Sequence, residues 1–132
     1  MKRFSLPKKE RIKKKNDFEK IYNSGEIIFS GSKKLKTVFY IDETVKEPGI
    51  KAAFAVSKKS GNAVWRNRAK RLLRESYRLN KEILIAPVHQ KKKFLYLVFS
   101  LNHINKKKYA NLYLEDIMPD VIDMMNQIKN RL

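Results

Sequence analysis

Apolar residues are distributed along this chain in two rhythms, one of period two and one near 3.6. The strongest run is Phe94 to Leu101, nearly continuous, which predicts a strand buried on both faces. Leu35 to Asp42, rich in Val, Phe, Tyr and Ile, predicts a second strand, with Lys36, Val38 and Tyr40 on one face and Thr37, Phe39 and Ile41 on the other. Glu26 to Ser30, between Gly25 and Gly31, predicts a short strand. Gly49 to Val56 predicts another, with Ala52, Phe54 and Val56 on one face. Its other face, Lys51, Ala53 and Ala55, carries small residues that leave room for a ligand strand. Pro48-Gly49 marks a turn before it.

Helical spacing recurs three times. Phe18, Ile21 and Tyr22 predict a short helix at about Asp17 to Ser24, with Asn16 as N-cap, Glu19 in the capping-box position and Gly25 as the stop. A longer helix is expected from Ala63 to about Lys81, with Asn62 as N-cap. Leu112 to Leu132 predicts the last, through the stripe Leu114, Ile117, Val121, Ile122, Met125 and Ile128, with Pro119 either in its first turn or kinking it. Ile83 to Pro87 is apolar but interrupted by Pro87, and Val88 to Lys93 is polar, so 82–93 reads as a connector. Residues 1–15 are basic and read as a flexible arm. The element order α-β-β-β-α-β-α over residues 1–132 predicts one α+β domain, a four-stranded sheet packed with three helices.

Charge changes this picture most. The chain carries 31 Lys and Arg against 13 Asp and Glu, a net charge of +18. On so small a domain that is the electrostatic footprint of a polyanion binder. Anionic membrane is the competing target, but no apolar run approaches the roughly 18 residues a spanning helix needs. No signal peptide is read at the N-terminus, and the absence of cysteine excludes thiolate chemistry and suits a reducing cytoplasm.

The central helix concentrates the charge, with Arg66, Arg68, Lys70, Arg71 and Arg74 falling within nine residues. At about 100° per residue, Arg66, Asn67, Lys70, Arg71, Arg74 and Arg78 share one arc. Trp65, Ala69, Leu72, Leu73 and Leu79 lie opposite, with Tyr77 at the seam. An ordinary solvated face is the plainer reading. Such a face mixes signs to gain i,i+4 pairs, whereas this one has the single acid Glu75 at its edge. Guanidinium groups offer paired donors to phosphate, and Lys58 and Lys59 precede the helix N-terminus, which itself favours anions. Phe18 and Tyr22, four apart on one helical face, read either as core or as a platform for unpaired bases.

The stretch Ser57-Lys58-Lys59-Ser60-Gly61-Asn62-Ala63-Val64, followed by Arg66-Asn67-Arg68-x-Lys70-Arg71-x-x-Arg74-Glu75, resembles the signature of the bacterial ribonuclease P protein family. Asp17-Phe18-x-x-Ile21-Tyr22-x-x-Gly25 resembles that family's first helix. The resemblance implies a ribosomal protein S5 domain 2-like fold with a left-handed βαβ crossover, a hand that the pattern alone would not suggest. It implies the protein subunit of an RNA-based endoribonuclease that removes the 5′ leader of precursor tRNA. Lys58, Lys59, Arg66, Asn67, Arg68, Lys70, Arg71 and Arg74 would then contact the catalytic RNA, and Phe18, Tyr22 and Tyr40 would line the leader cleft. Mg²⁺ would be held by the RNA subunit, with no metal site or small-molecule substrate on the protein. The chain departs from the family at Trp65, at Ala69 where a larger aliphatic is common, at Ser100-Leu101-Asn102 where a basic residue is usual, and in the longer 82–93 connector.

Catalytic residues of its own are not expected. His89 and His103 sit in polar connectors without metal-ligand spacing, the acids form no acid–base pair, and none of the four glycines builds a phosphate loop. A ribosomal protein or general RNA chaperone has the same charge and size and remains the alternative. A standalone nuclease would need catalytic groups that the sequence does not supply.

Overall fold

The two strongest apolar runs become the two central neighbours of one sheet. The computed structural model describes residues 6–43 and 45–132. In it β2 (Leu35–Asp42) and β4 (Phe94–Leu101) pair antiparallel, with Val38 opposite Val98 and Tyr40 opposite Tyr96. β1 (Glu26–Phe29) adds antiparallel to β2, and β3 (Gly49–Ala55) adds parallel to β4, giving the order β1-β2-β4-β3. Between the parallel neighbours β3 and β4 run two helices, α2 (Ala63–Asn80) and α3 (Glu82–Gln90), while α1 (Lys15–Ser24) precedes the sheet and α4 (Leu114–Lys129) follows it.

The alternation read in β2 sorts the sheet into two faces. Phe39, Leu97, Phe99 and Ala52 turn into the main core with Leu73 and Tyr77 of α2, Leu84 and Val88 of α3, and Ile117, Val121 and Met125 of α4. The rings of Phe54, Tyr77 and Phe99 meet there with centroids 5.7–6.1 Å apart. The opposite face carries a smaller cluster, in which Ile21 of α1 and Ile12 pack on Val38 and Val98 with Phe18, Tyr40, Ala53, Ala55 and Tyr96 around them. This second face is the one that stays open enough to receive a ligand.

Several expectations are corrected by the structure. A fourth helix, α3, occupies most of the expected connector. It follows α2 through Lys81 alone, whose carbonyl accepts from Leu84 N and Ile85 N at 3.0 Å each. Pro87 lies inside it, and fully buried Leu84 and Val88 outweigh the lost backbone bond. Residues 1–5 of the expected arm fall outside the described residues. The rest of it is docked: Leu6 and Ile12 are buried, Arg11 bridges Ala52 in parallel, and Glu10 pairs with Lys81 at 3.0 Å. α1 begins one residue before Asn16, with Lys14 at the cap position and no side-chain cap, so the expected capping box does not form.

Gly25 does end α1, but with φ −80° in extended backbone. Its need for glycine is steric, because a Cβ would stand 2.3 Å from the Ile21 carbonyl oxygen and 2.7 Å from that of Phe39. Pro119 sits in the second turn of α4, and the helix continues through it to Lys129. Leu79, expected on the apolar side of α2, is exposed, and Tyr77, expected at the seam, is buried.

Candidate nucleic-acid interface

The local sequence sets α2 in place before its charges are considered. The Asn62 side-chain oxygen accepts from Trp65 N at 2.9 Å, as expected of the N-cap. Trp65, the departure from the family pattern, packs into the core and donates from Nε1 to the Tyr109 carbonyl at 2.8 Å. Gly61 lies against that indole, where a Cβ would come within 2.9 Å of the ring. Ala69 is fully buried. The N-terminal half of the helix is thus anchored by one aromatic ring, one cap and close backbone approach, which fixes the direction of the charged face.

The basic residues then divide by environment. Arg66, Lys70 and Arg74 form an i,i+4 row along the border of the buried face, each half-buried. Asn67 and Arg71 stand outside that row and are exposed, as are Lys58 and Lys59 on the short 3-10 turn leading into the helix. Like charges at i,i+4 repel. Burial, then Arg11 and Arg71 nearby, pushes the Arg74 guanidinium below its ordinary pKa. An arginine keeps its proton at any physiological pH, so this depression records burial first and, after it, crowding by like charges that an anion would relieve. Arg66 Nε is buried with no hydrogen-bond partner among the described residues. A buried orphan donor costs about 1–3 kcal/mol, and the side chain would have to turn outward for that nitrogen to meet an acceptor from solution.

Arg68 of the motif and Arg78, one turn beyond it, are spent differently. Arg68 turns away from the row; its Nε donates to the Leu112 carbonyl at 2.6 Å and its guanidinium lies 6.0 Å above the Tyr113 ring. Arg78 forks onto Glu75, whose carboxylate is buried rather than standing at a solvated edge. That hydrogen bond holds the Arg78 pKa above its ordinary value.

Beside this row opens the second face of the sheet. Across β2, β4 and β3 the register sets Lys36, Ser100 and Ala55 in one row, Val38, Val98 and Ala53 in the next, and Tyr40, Tyr96 and Lys51 in a third. Phe18 is half-buried, packed on the Ile21 and Val38 cluster of this face. Tyr22 is 57% exposed at the outer end of α1. Tyr40 is half-buried, with the Lys20 ammonium 5.9 Å from its ring centroid. Aromatic and cationic side chains interleaved on a shallow face form a surface suited to a single strand.

Four residues at this surface were not singled out by sequence reasoning. Tyr96 and Phe94 escaped because β4 reads as uniformly apolar; its alternation, once one face is known to be open, would have found both. Arg11, which lines a cleft of about 350 Å³ with Arg74, Phe54 and Ala53, was hidden in the expected arm. Lys51 was placed on the correct face without a role. Among the described residues no group of His, Asp or Glu gathers to hold a metal ion. No described helix is long and apolar enough to cross a membrane.

Fold and surface together define a small basic α+β domain with a cationic helix face beside an aromatic sheet face. The family model for ribonuclease P matches residues 6–117, so the chain belongs to the ribonuclease P protein family. It is 39% identical over 80 residues to the ribonuclease P protein component of Macrococcus caseolyticus, covering 61% of this chain and 66% of that one. With the protein component of Syntrophus aciditrophicus it shares 42% over 82 residues, 62% of this chain and 65% of the relative. The matched stretches thus span just under two thirds of these relatives. Among solved structures, the ribonuclease P protein of Thermotoga maritima superposes with a TM-score of 0.69 over 89% of this chain and 96% of its own, at 19% identity. That of Staphylococcus aureus gives 0.61 over 90% and 94%, at 24% identity. These likenesses establish the fold.

Proposed function

We propose that this chain is the protein subunit of a bacterial ribonuclease P, binding the catalytic RNA and the 5′ leader of precursor tRNA during removal of that leader. The observation that carries the reading is the Arg66–Lys70–Arg74 row of like charges along the border of α2, in a fold whose open sheet face carries Phe18, Tyr40 and Tyr96. Arg66, Asn67, Lys70, Arg71 and Arg74 contact the catalytic RNA, with Lys58 and Lys59 at the rim; Arg68 contributes through whatever donors its bond to Leu112 leaves. Phe18, Tyr22 and Tyr40 hold leader bases by stacking. The chemistry and its Mg²⁺ ions belong to the RNA, and the protein acts in the cytoplasm by placing positive charge where two polyanions must approach. That charge lowers the Mg²⁺ requirement and favours substrate over mature product.

The direct experiment combines the protein with a bacterial ribonuclease P RNA and a precursor tRNA at low Mg²⁺ and follows leader release. Cleavage that requires both components is the expected result. Binding to all RNAs alike, without stimulation, would instead indicate a chaperone or ribosomal protein, and cleavage by the protein alone a nuclease. Affinity for the RNA is expected to fall linearly in log–log form with salt; a flat response would exclude the basic face as the contact surface.

Tyr22→Ala provides a cleaner test of the leader cleft than Phe18→Ala, because the Phe18 ring also supports Ile21 and Val38. Loss of one stacked base is expected to reduce the preference for leader-bearing over mature tRNA by about 1–3 kcal/mol. Equilibrium binding of the two RNAs to the holoenzyme measures it, and an unchanged ratio removes Tyr22 from the cleft.

A further inference from the structure

The aromatic surface does not stop at Tyr40. On the same face, Tyr96 stands 6.3 Å from Tyr40 and Phe94 4.9 Å from Tyr96, measured between ring centroids. Phe94 lies opposite Gly49 across the β3–β4 pair, and its ring fills the space a side chain there would need: a Cβ on Gly49 would come within 2.8 Å of it. Beyond Phe94 opens a cleft of about 560 Å³, larger than the Arg11–Arg74 cleft. Phe94 and Lys51 line both the aromatic row and this cleft, so the two are one continuous surface.

The chemistry of the cleft selects its occupant. Tyr77 and Ile85 contribute apolar wall, while Lys9 and Lys81 on one hand and Glu10 and Glu47 on the other set donors and acceptors around it. Glu10 and Lys81 already hold each other at 3.0 Å. A bare phosphate would call for cations alone. A nucleobase, flat and apolar on its faces with donors and acceptors on its edge, suits a wall of this mixed kind. Asp17 and Asp42 act on Tyr96 from the far side and raise its pKa after burial. Their charge disfavours a phosphate backbone there and directs it along the Lys51 side.

We infer that Tyr96 and Phe94 extend the leader-binding surface past Tyr40, and that a leader base further from the cleavage site enters the cleft bounded by Phe94, Lys51 and His89. This rests on the leader-binding reading above and adds a second, separable part to it. The chain would thereby gain affinity from longer leaders than Phe18, Tyr22 and Tyr40 can engage.

The test uses holoenzyme reconstituted from the full chain and a bacterial ribonuclease P RNA, with precursor tRNAs whose leaders lengthen one nucleotide at a time. With the wild-type protein, affinity is expected to keep rising after the first stacked positions are filled, by about fivefold for each further base stacked. Tyr96→Val keeps a strand-forming residue but removes the ring, and its curve should level off at a shorter leader; Tyr96→Phe should restore the rise. His89→Glu, on the exposed side of α3, places a negative charge at the cleft mouth without disturbing the core, and should also level the curve early. If circular dichroism shows Tyr96→Val unfolded, His89→Glu decides. Affinity that rises with the first leader nucleotides but is the same in these variants and wild type at every length overturns the extension and leaves the shorter cleft standing. Affinity indifferent to any leader overturns the leader-binding reading itself.

Discussion

Replacing Arg66 and Lys70 together by Ala is expected to lower holoenzyme activity at low Mg²⁺ and leave the fold intact. Both side chains are half-buried on the border of α2, four residues apart and of like charge. Their removal relieves a repulsion of a few tenths of a kcal/mol, which offsets packing lost from their aliphatic stems. If each neutralises one phosphate, the salt dependence of RNA binding should fall by about 0.7–0.9 in log–log slope per residue. Raising Mg²⁺ should restore much of the activity, since the ions replace missing positive charge. Filter binding across a salt series, with circular dichroism on the free protein, separates the outcomes. An unaltered slope would mean that these groups meet no phosphate, and lost ellipticity would make them structural.

Trp65→Ala is expected to act in the opposite way, on stability first. The indole is buried at the start of α2, closes against Gly61 and ties the helix to the Tyr109 carbonyl. Large aromatic-to-Ala changes in a core cost about 3–5 kcal/mol, which corresponds to a fall of roughly 10–20 °C in Tm for a domain of this size. Trp65→Phe keeps most of the apolar area but leaves the Tyr109 carbonyl without its donor, so its cost should lie nearer 1–3 kcal/mol. Thermal melts followed by circular dichroism rank the three proteins. A loss below about 1 kcal/mol for Trp65→Ala would show that the ring does not anchor the helix.

These two sites were legible in the sequence to different degrees. The bounds of β2 and β4, the N-cap at Asn62 and the arc of basic residues all follow from local pattern, because period and capping chemistry are written in neighbouring residues. The role of Trp65 was not, since an aromatic beside a basic run can face either way until the Tyr109 loop is in place. α3 was missed because Pro87 and the following lysines read as a break, whereas burial of Leu84 and Val88 against α4 outweighs local propensity. Leu6 and Ile12, single apolar residues in a basic run, have no periodicity to reveal them. Their burial comes from β3 and from α1 with the sheet, which are joined to them only in space. Glu75 likewise read as a rim acid because its burial depends on the surrounding fold, not on its own helix alone.

The docked segment before α1 has a consequence for how copies of this protein behave toward one another. β3 is an outer strand, and an outer strand offers its unpaired amides and carbonyls to any extended chain that passes. Here Ile12 N donates to the Ala52 carbonyl at 3.2 Å, so part of that template is already occupied by the protein's own chain. On the other side of the sheet β1 is only four residues long, too short to recruit a partner strand strongly. Both margins are thereby guarded against intermolecular strand addition, so association of copies through a continued sheet is disfavoured.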